Sequence, residues 1–346
     1  MKLNSGKLLL SGFGLVITLA LCYGTAFGQG GGVKLSPRDQ YLDSLKRMDA
    51  DWPLPIWGNR LLKKGFDLQY PFGAMINGFV ATQKVVISDL KVGFNDMDPV
   101  PLDFIKFGDV KAKAVSTNAR LDAWILPFMD LYGIVGKTWT KTEVDITEPF
   151  KMNSTANFDG NTLGLGTTIA GGYHRFVTII DLNHTWTTLE NIKGTIQSTM
   201  FTPRLGYNFI LKNKADMSIT VWVGASGMFI NRTTEGTIPL SDLTTDASRE
   251  KLQQIVDGAE DWYQGLKPPQ QAVIKQIAQK LIDKMDGLDI KDATVSYSLN
   301  KRPTSNWSMN LGAQWQLNHR WQIRSELGFF GGRQSLLLSG NYRWHW

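Results

Sequence analysis

The stretch that most constrains the fold is the last one, Arg333 to Trp346. Every second residue from Leu336 gives Leu336, Leu338, Gly340, Tyr342, Trp344 and Trp346, with Ser335, Leu337, Ser339, Asn341, Arg343 and His345 between them. Side chains of a strand alternate between its two faces, so this segment has one apolar face, one mostly polar face and an aromatic end. A tilted strand crosses a bilayer in about 9–11 residues, and the segment is long enough. Tyr342, Trp344 and Trp346 on one face suit a membrane strand that ends in an interfacial girdle. The chain therefore reads as all-β, an antiparallel transmembrane barrel.

The beginning agrees. Lys2 and Lys7 precede an apolar run from Leu8 to Gly24, and Ala26-Phe27-Gly28 places small residues before Gln29, which reads as a cleaved signal peptide over residues 1–28. Cys22, the single cysteine, lies inside it, so the mature chain has neither disulfides nor thiolate metal sites. Without Lys2 and Lys7 there are 35 basic against 31 acidic residues, interspersed, which gives nucleic-acid binding no support. No apolar run of helix-spanning length follows, which excludes a helical membrane protein.

Residues 29–71 read as a periplasmic N-terminal segment, with a helix opened by Ser36 as cap, Pro37 and Asp39, carrying Tyr41, Leu42, Leu45 and Met48, and ended by Pro53-Leu54-Pro55. The barrel, with its insertion, would occupy residues 72–346. Residues 73–93 suit one long strand or a hairpin. In 117–127, Ala119, Leu121, Ala123 and Ile125 alternate with Arg120, Asp122 and Trp124. Alternation continues through 131–142, 162–173, 175–187, 199–210, 217–229, 306–317, 321–330 and the last strand. Short links fall near 127–130, 172–175, 211–216 and 318–320, long ones at 94–110, 143–161 and 232–305. Periplasmic turns of such barrels are short and strand numbers even, so the count is ten to twelve with both termini in the periplasm. Ten follows if 73–93 is one strand and 292–299 a loop extension.

Residues 241–290 break the pattern. Asp246 can cap a helix with Leu252, Ile255, Val256, Ala259 and Trp262, and Pro269 can open a second with Ile274, Ile277, Ala278, Leu281, Ile282 and Met285. This reads as an α-helical hairpin insertion, an ornament, a lumen plug or a docking surface.

The search for chemistry yields little. None of His174, His184, His319 and His345 has a serine two positions away, as a lipase-like pair would need. His174 and His319 fall in turns open to solvent, His184 has Asp181 and Thr185 nearby as a polar strand-end residue, and His345 lines the rim. No metal-ligand spacing occurs and no cofactor is indicated. Gly164, Gly166, Gly171 and Gly172 lack the helix and lysine of a phosphate loop, and read as small strand residues where neighbouring backbones approach. What recurs is charge on inward positions: Arg120, Asp122, Asp181, Arg204, Arg324, Glu326 and Arg343. Arg324 and Glu326 could pair with Arg343. They would line an aqueous path or fill the interior with salt bridges.

Three stretches carry a resemblance. Arg120-Leu-Asp-Ala-Trp-Ile-Leu-Pro-Phe-Met-Asp-Leu-Tyr132, Glu235-Gly-Thr-Ile-Pro239, and Glu326-Leu-Gly-Phe…Arg333 with Tyr342-Arg343 resemble uncharacterised outer-membrane β-barrel proteins of Gram-negative bacteria. The resemblance implies outer-membrane lipid as surroundings and uptake by barrel assembly machinery through Tyr342, Trp344 and Trp346, and it implies no activity. The first functional reading is a small-solute channel gated or capped by residues 241–290. The alternative is a non-conducting structural, adhesive or partner-docking barrel, and an enzyme has no catalytic set to rest on.

Overall fold

Strands that alternate apolar and polar residues must face two environments, and a sheet in lipid must leave no unpaired edge, so it closes on itself. The computed structural model describes residues 36–48, 52–94, 100–101, 105–148, 152–190, 192–211, 214, 216–231, 233–239, 263–265, 268, 271 and 294–345. Its strands are β1 (Phe72–Phe94), β2 (Val100–Pro101), β3 (Lys106–Leu126), β4 (Met129–Glu148), β5 (Met152–Tyr173), β6 (Phe176–Leu189), β7 (Ile192–Lys193), β8 (Ile196–Ile210), β9 (Ser218–Ile230), β10 (Thr233–Pro239), β11 (Thr294–Pro303), β12 (Trp307–Gln316), β13 (Trp321–Phe329) and β14 (Arg333–Trp344). Ten of them, β1-β3-β4-β5-β6-β8-β9-β12-β13-β14, form a closed antiparallel barrel. The last strand closes it on the first, from Phe72 opposite Trp344 to Gln83 opposite Arg333.

The barrel has the lower strand number of the expected range, because residues 73–93 form one strand. Two expectations about loops are corrected. Residues 143–161 are not a long loop: β4 and β5 stay paired out to Ile146 opposite Met152. Residues 294–303 are a strand, β11, but it pairs outside the ring, on the far part of β1, from Val85 opposite Pro303 to Phe94 opposite Val295. The tight turn at Phe330, Gly331 and Gly332, all at positive φ, ends the reach of β14 at Arg333. Beyond Gln83 the edge of β1 is free, and β11 takes it. β10 pairs with β11, and β7 with β10. We call this upper sheet, built from the far halves of β1, β3, β4 and β5 with β11, β10 and β7, the collar.

The faces exchange polarity where the collar begins. In the barrel the outward face is apolar: Ile76, Leu121, Leu163, Leu165, Leu205 and Val223 are each more than half exposed. Two exposed aromatic rows bound this band, with Phe128, Phe176, Phe209, Trp315 and Trp321 toward the short turns and Trp139, Trp186, Phe229 and Trp307 on the other side. Trp307 and Trp315 are eight residues apart on β12, and Phe176 and Trp186 ten apart on β6. At about 3.4 Å per residue and a tilt of about 40°, that separation is roughly 20–26 Å, the height of an outer-membrane apolar band. Above it, outward Lys113 and Lys141 bind outward Glu143 at 2.8 and 3.3 Å, while inward Val85, Ile87 and Val110 are buried with Phe107, Ala112, Val144 and Leu299.

At the short-turn rim lies the N-terminal lead. Its helix α1 (Pro37–Arg47) is capped by Ser36, whose Oγ accepts from Asp39 N–H at 3.2 Å while the Asp39 carboxylate accepts from Ser36 N–H. α1 stops at Arg47, before the prolines, and leaves Met48 exposed rather than packed. Leu45 of α1 and Leu62 of α2 (Gly58–Leu62) are buried together with Tyr41, Leu42, Trp52 and Leu68. The signal-peptide stretch 1–28, Trp346 and the helical hairpin expected at 241–290 lie outside the described residues, except that Tyr263–Gly265, Pro268 and Gln271 are helical, with Gln271 Nε2 donating to Tyr263 O at 2.9 Å.

Candidate functional site

The inward charges gather in the half of the barrel nearer the short turns. Arg343 on β14 donates to Asp122 on β3 at 2.8 Å, and its Nε donates to Tyr70 O of the lead at 2.9 Å. Gly73 lies between these two side chains. A Cβ there would sit 2.7 Å from Asp122 and 2.9 Å from the Arg343 guanidinium, so the ion pair depends on a residue without one. Arg120, two residues from Asp122 and on the same face, donates to Asp130 on β4 and lies 3.7 Å from Asp181 on β6. Its guanidinium stacks 3.5 Å above the ring of Tyr132. Tyr132 Oη, Thr168 Oγ1 and Asn183 Nδ2 all donate to Asp181, at 3.0, 2.9 and 3.2 Å. Gly166 accommodates the Tyr132 ring, a side chain rather than the neighbouring backbone expected there, and a Cβ would collide with it.

A second group joins more distant strands. Arg204 on β8 makes two hydrogen bonds to Glu326 on β13, at 2.7 and 3.1 Å, the paired geometry that a planar guanidinium suits. Glu326 also accepts from Trp222 Nε1 at 3.0 Å and from Arg324 at 3.2 Å. Asp122, Asp130, Asp181, Arg204, Tyr132, Trp222 and Arg343 are all buried, none more than 8 % exposed. The four arginines Arg120, Arg204, Arg324 and Arg343 balance the four acids Asp122, Asp130, Asp181 and Glu326, so the bore is electrically neutral at this level.

Every inward charge expected from the sequence enters these clusters. Arg343, however, meets Asp122 and not Arg324 or Glu326. Register explains the correction. Arg324 is level with Ser339, so Arg343 lies four residues, about 13 Å of strand, nearer the rim. Asp130, Tyr132 and Trp222 join the clusters without being among the inward charges that the sequence singles out. The sequence places Asp130 at the end of a short link, whereas β4 begins at Met129; Trp222 sits in phase with Thr220 and Gly224 on the polar face, a signal present in the alternation.

The histidines differ from expectation chiefly at His319, which is not left to solvent. Its Nε2 is 2.6 Å from Tyr41 Oη and 3.3 Å from Asp67, and its Nδ1 is 3.9 Å from Asp216. The hydrogen bond to Asp67 raises the His319 pKa above its usual range against the opposing effect of burial, and burial raises that of Tyr41. His345 stacks on Trp52 of the lead, ring centroids 4.8 Å apart. His184 faces outward, with Nδ1 2.8 Å from Thr199 Oγ1 and its ring against Trp186. Among the described residues, no group of three or more histidines or acids could hold a metal ion.

No family model and no curated protein matches the chain. Among solved structures it is similar to the β domain of the Bordetella autotransporter BrkA, at TM-score 0.36 and 8 % identity over 79 % of this chain and 100 % of that one. It is also similar to the outer membrane protein OprG of Pseudomonas aeruginosa, at TM-score 0.37 and 10 % identity over 80 % and 98 %. The translocator domain of autotransporter NalP from Neisseria meningitidis matches at TM-score 0.35 and 9 % identity over 84 % and 95 %.

Proposed function

We propose that the chain is a bacterial outer-membrane β-barrel whose bore is shut by its own side chains and which works at its surfaces and collar rather than as an open pore. The location rests on the exchange of polarity. Between the two aromatic rows the apolar face points outward, and above them Lys113, Lys141 and Glu143 do. That pattern suits lipid around the barrel and water around the collar. Lipid is then its surrounding partner, and Tyr342 and Trp344 at the end of β14 are where assembly machinery would engage it.

The closed bore rests on one observation above the others. The Arg204–Glu326 pair reaches from β8 to β13, past β9 and β12, with both side chains nearly buried. Breaking such a pair leaves a buried charge at a cost of about 3–5 kcal/mol, a stiff obstacle to any solute. A second reading, a thread of water or small ions, draws on the buried polar atoms without a protein partner: both amide atoms of Asn310, Ser339 Oγ, Asn341 Oδ1 and Arg204 Nη1. Such groups ordinarily bind water. Conductance of the refolded chain in planar bilayers separates the readings, measured with and without residues 241–290. The closed bore predicts silence from both forms. Discrete steps from the intact chain overturn it, and steps only after the deletion assign the gate to residues 241–290.

A further inference from the structure

Just above the aromatic row on the collar side, the outward face of the collar is crowded with cations. Lys84 on β1 stands directly opposite Lys111 on β3, and Lys113 on β3 directly opposite Lys141 on β4. Arg302 on β11 shares this face, opposite outward Val86. All five are exposed. Like charges directly opposite each other on a sheet are destabilising, and here two such pairs lie side by side. Glu143 offsets part of this, accepting from Lys113 and Lys141 at 2.8 and 3.3 Å. Asp159 on β5 lies opposite Trp139, while Asp109 and Asp145 are two residues farther up their strands than Lys111 and Glu143. Asp89 is engaged by Asn300 at 2.7 Å and Ser88 at 3.0 Å. Among the described residues, no carboxylate pairs with Lys84, Lys111 or Arg302.

Register fixes the height of these cations. Lys113 and Lys141 lie two residues beyond outward Val115 and Trp139, which stand opposite each other at the edge of the apolar band. At about 3.4 Å per residue and a tilt of about 40°, that is roughly 5 Å, where a headgroup sits above its acyl chains. Lys137, on the lipid side of Trp139, brings its ammonium 5.6 Å from the indole centroid, so it too leans out of the band. Below the cations the same strands present an aliphatic wall: Val80 opposite Val115, and Val135 opposite Leu163, all exposed. Ammonium groups bind phosphate through short charge-assisted hydrogen bonds. A phosphate between opposed lysines would relieve their repulsion, and two opposed pairs offer room for two phosphates.

We infer that the outward lysines of β1, β3 and β4 bind the phosphates of a multiply acylated, bisphosphorylated lipid whose chains lie on the aliphatic wall below. The inference rests on the outer-membrane reading of the barrel and names the lipid that this side of it selects. Native mass spectrometry of the full chain, refolded in dodecyl maltoside, counts the lipid retained on titration. The probes are bisphosphorylated lipid A, its dephosphorylated form and phosphatidylcholine. The bisphosphorylated lipid should bind saturably and roughly tenfold or more tightly than the other two. Lys84→Gln, Lys111→Gln and Lys113→Gln combined should remove that advantage. Arg60→Gln, Lys63→Gln and Lys64→Gln combined, an equal loss of charge at the opposite rim, should leave it unchanged. Inorganic phosphate in excess should not displace the lipid. Heat-modifiable migration on gels checks folding, and the comparison of lipids on the unaltered chain decides by itself if a triple variant does not fold. Equal retention of all the lipids, equal loss in both triple variants, or displacement by inorganic phosphate, which would make this a site for the free ion, each overturns the proposal. Flotation with phosphatidylcholine vesicles tests the membrane reading separately. A chain that floats but does not prefer the phosphorylated lipid refutes this inference alone, and a chain that does not float refutes both.

Discussion

The bore and the collar are two interiors built on the same strands, and they solve burial in opposite ways. Inward positions of β3 run Asp122, Arg120, Asn118 and Ser116 in the barrel, then Ala114, Ala112 and Val110 in the collar. Those of β4 run from Asp130 and Tyr132 through Thr138 and Thr142 to Val144. The strand does not change its phase; the solvent outside it changes. Where lipid takes the apolar residues, the polar ones turn inward and must satisfy each other, as Thr138, Thr162 and Thr187 do in a ladder of 3.1 and 2.9 Å contacts. Where water takes the polar residues, the apolar ones pack inside. Charges follow the same logic with one difference. Every acid named in the bore has an arginine, whereas Lys301 in the collar has no acid among the described residues.

The largest effect should come from breaking a paired charge. Glu326→Ala leaves Arg204 and Arg324 facing each other in the bore, and should lower unfolding stability by about 3–5 kcal/mol. Urea unfolding in lipid vesicles, followed by tryptophan fluorescence, measures it. A cost near zero would mean that water already serves these groups and that the bore is wet.

The next test places the boundary between the two regions. Leu165→Arg puts a cation in the middle of the outward apolar band and should cost about 2–4 kcal/mol, while an exposed collar change, Lys113→Leu, should stay within about 0.5 kcal/mol. The same unfolding assay compares them. Equal costs would remove the polarity exchange as a marker of the membrane edge.

This exchange also explains how far the sequence could be read. Strand phase was legible because it has a period of two, and every inward charge named from phase alone entered the buried clusters, from Arg120 to Arg343. Partners were not legible. Which acid meets Arg343 depends on stagger around the ring, and β14 places it beside Asp122 on a strand more than two hundred residues away in the chain. The collar was missed for a related reason. In 143–148 and 152–161 only Val144 and Ile146 on one side, and Ala156 and Phe158 on the other, alternate with polar residues, too short an apolar face on either arm to separate the continuing ladder of β4 and β5 from a loop. The sequence of β11 alternates, but only the free edge of β1 beyond Gln83 reveals what it pairs with.

A smaller effect of opposite sign is expected at the lone cation. Lys301→Met removes a half-buried ammonium from a face it shares with Ile87 and Leu299 and should leave stability unchanged or raise it by about 1 kcal/mol. Destabilisation by more than that would mean that an acid outside the described residues pairs with Lys301, and would bring the collar under the rule of the bore.

The smallest effect concerns the mouth, where the lead is tied to the barrel by a titratable group. His319 contacts Tyr41 of α1 and Asp67 of the lead, with Asp216 of the neighbouring turn 3.9 Å away and Arg38 3.7 Å from Asp67. Its pKa in the docked state is raised, chiefly by the hydrogen bond to Asp67. A raised value means that the proton binds more tightly when the lead is docked. The contribution to docking is therefore complete below the undocked histidine value, about 6.5, and is lost as pH rises through the higher docked value. Limited proteolysis of residues 36–71 should accordingly quicken as pH rises across that window, and His319→Gln should flatten the dependence. The aromatic contacts Trp52–His345 and Trp52–Tyr70 persist throughout, so the lead should loosen rather than leave. Cleavage that slows with rising pH, or that keeps its profile in His319→Gln, would place the control of the mouth on another group.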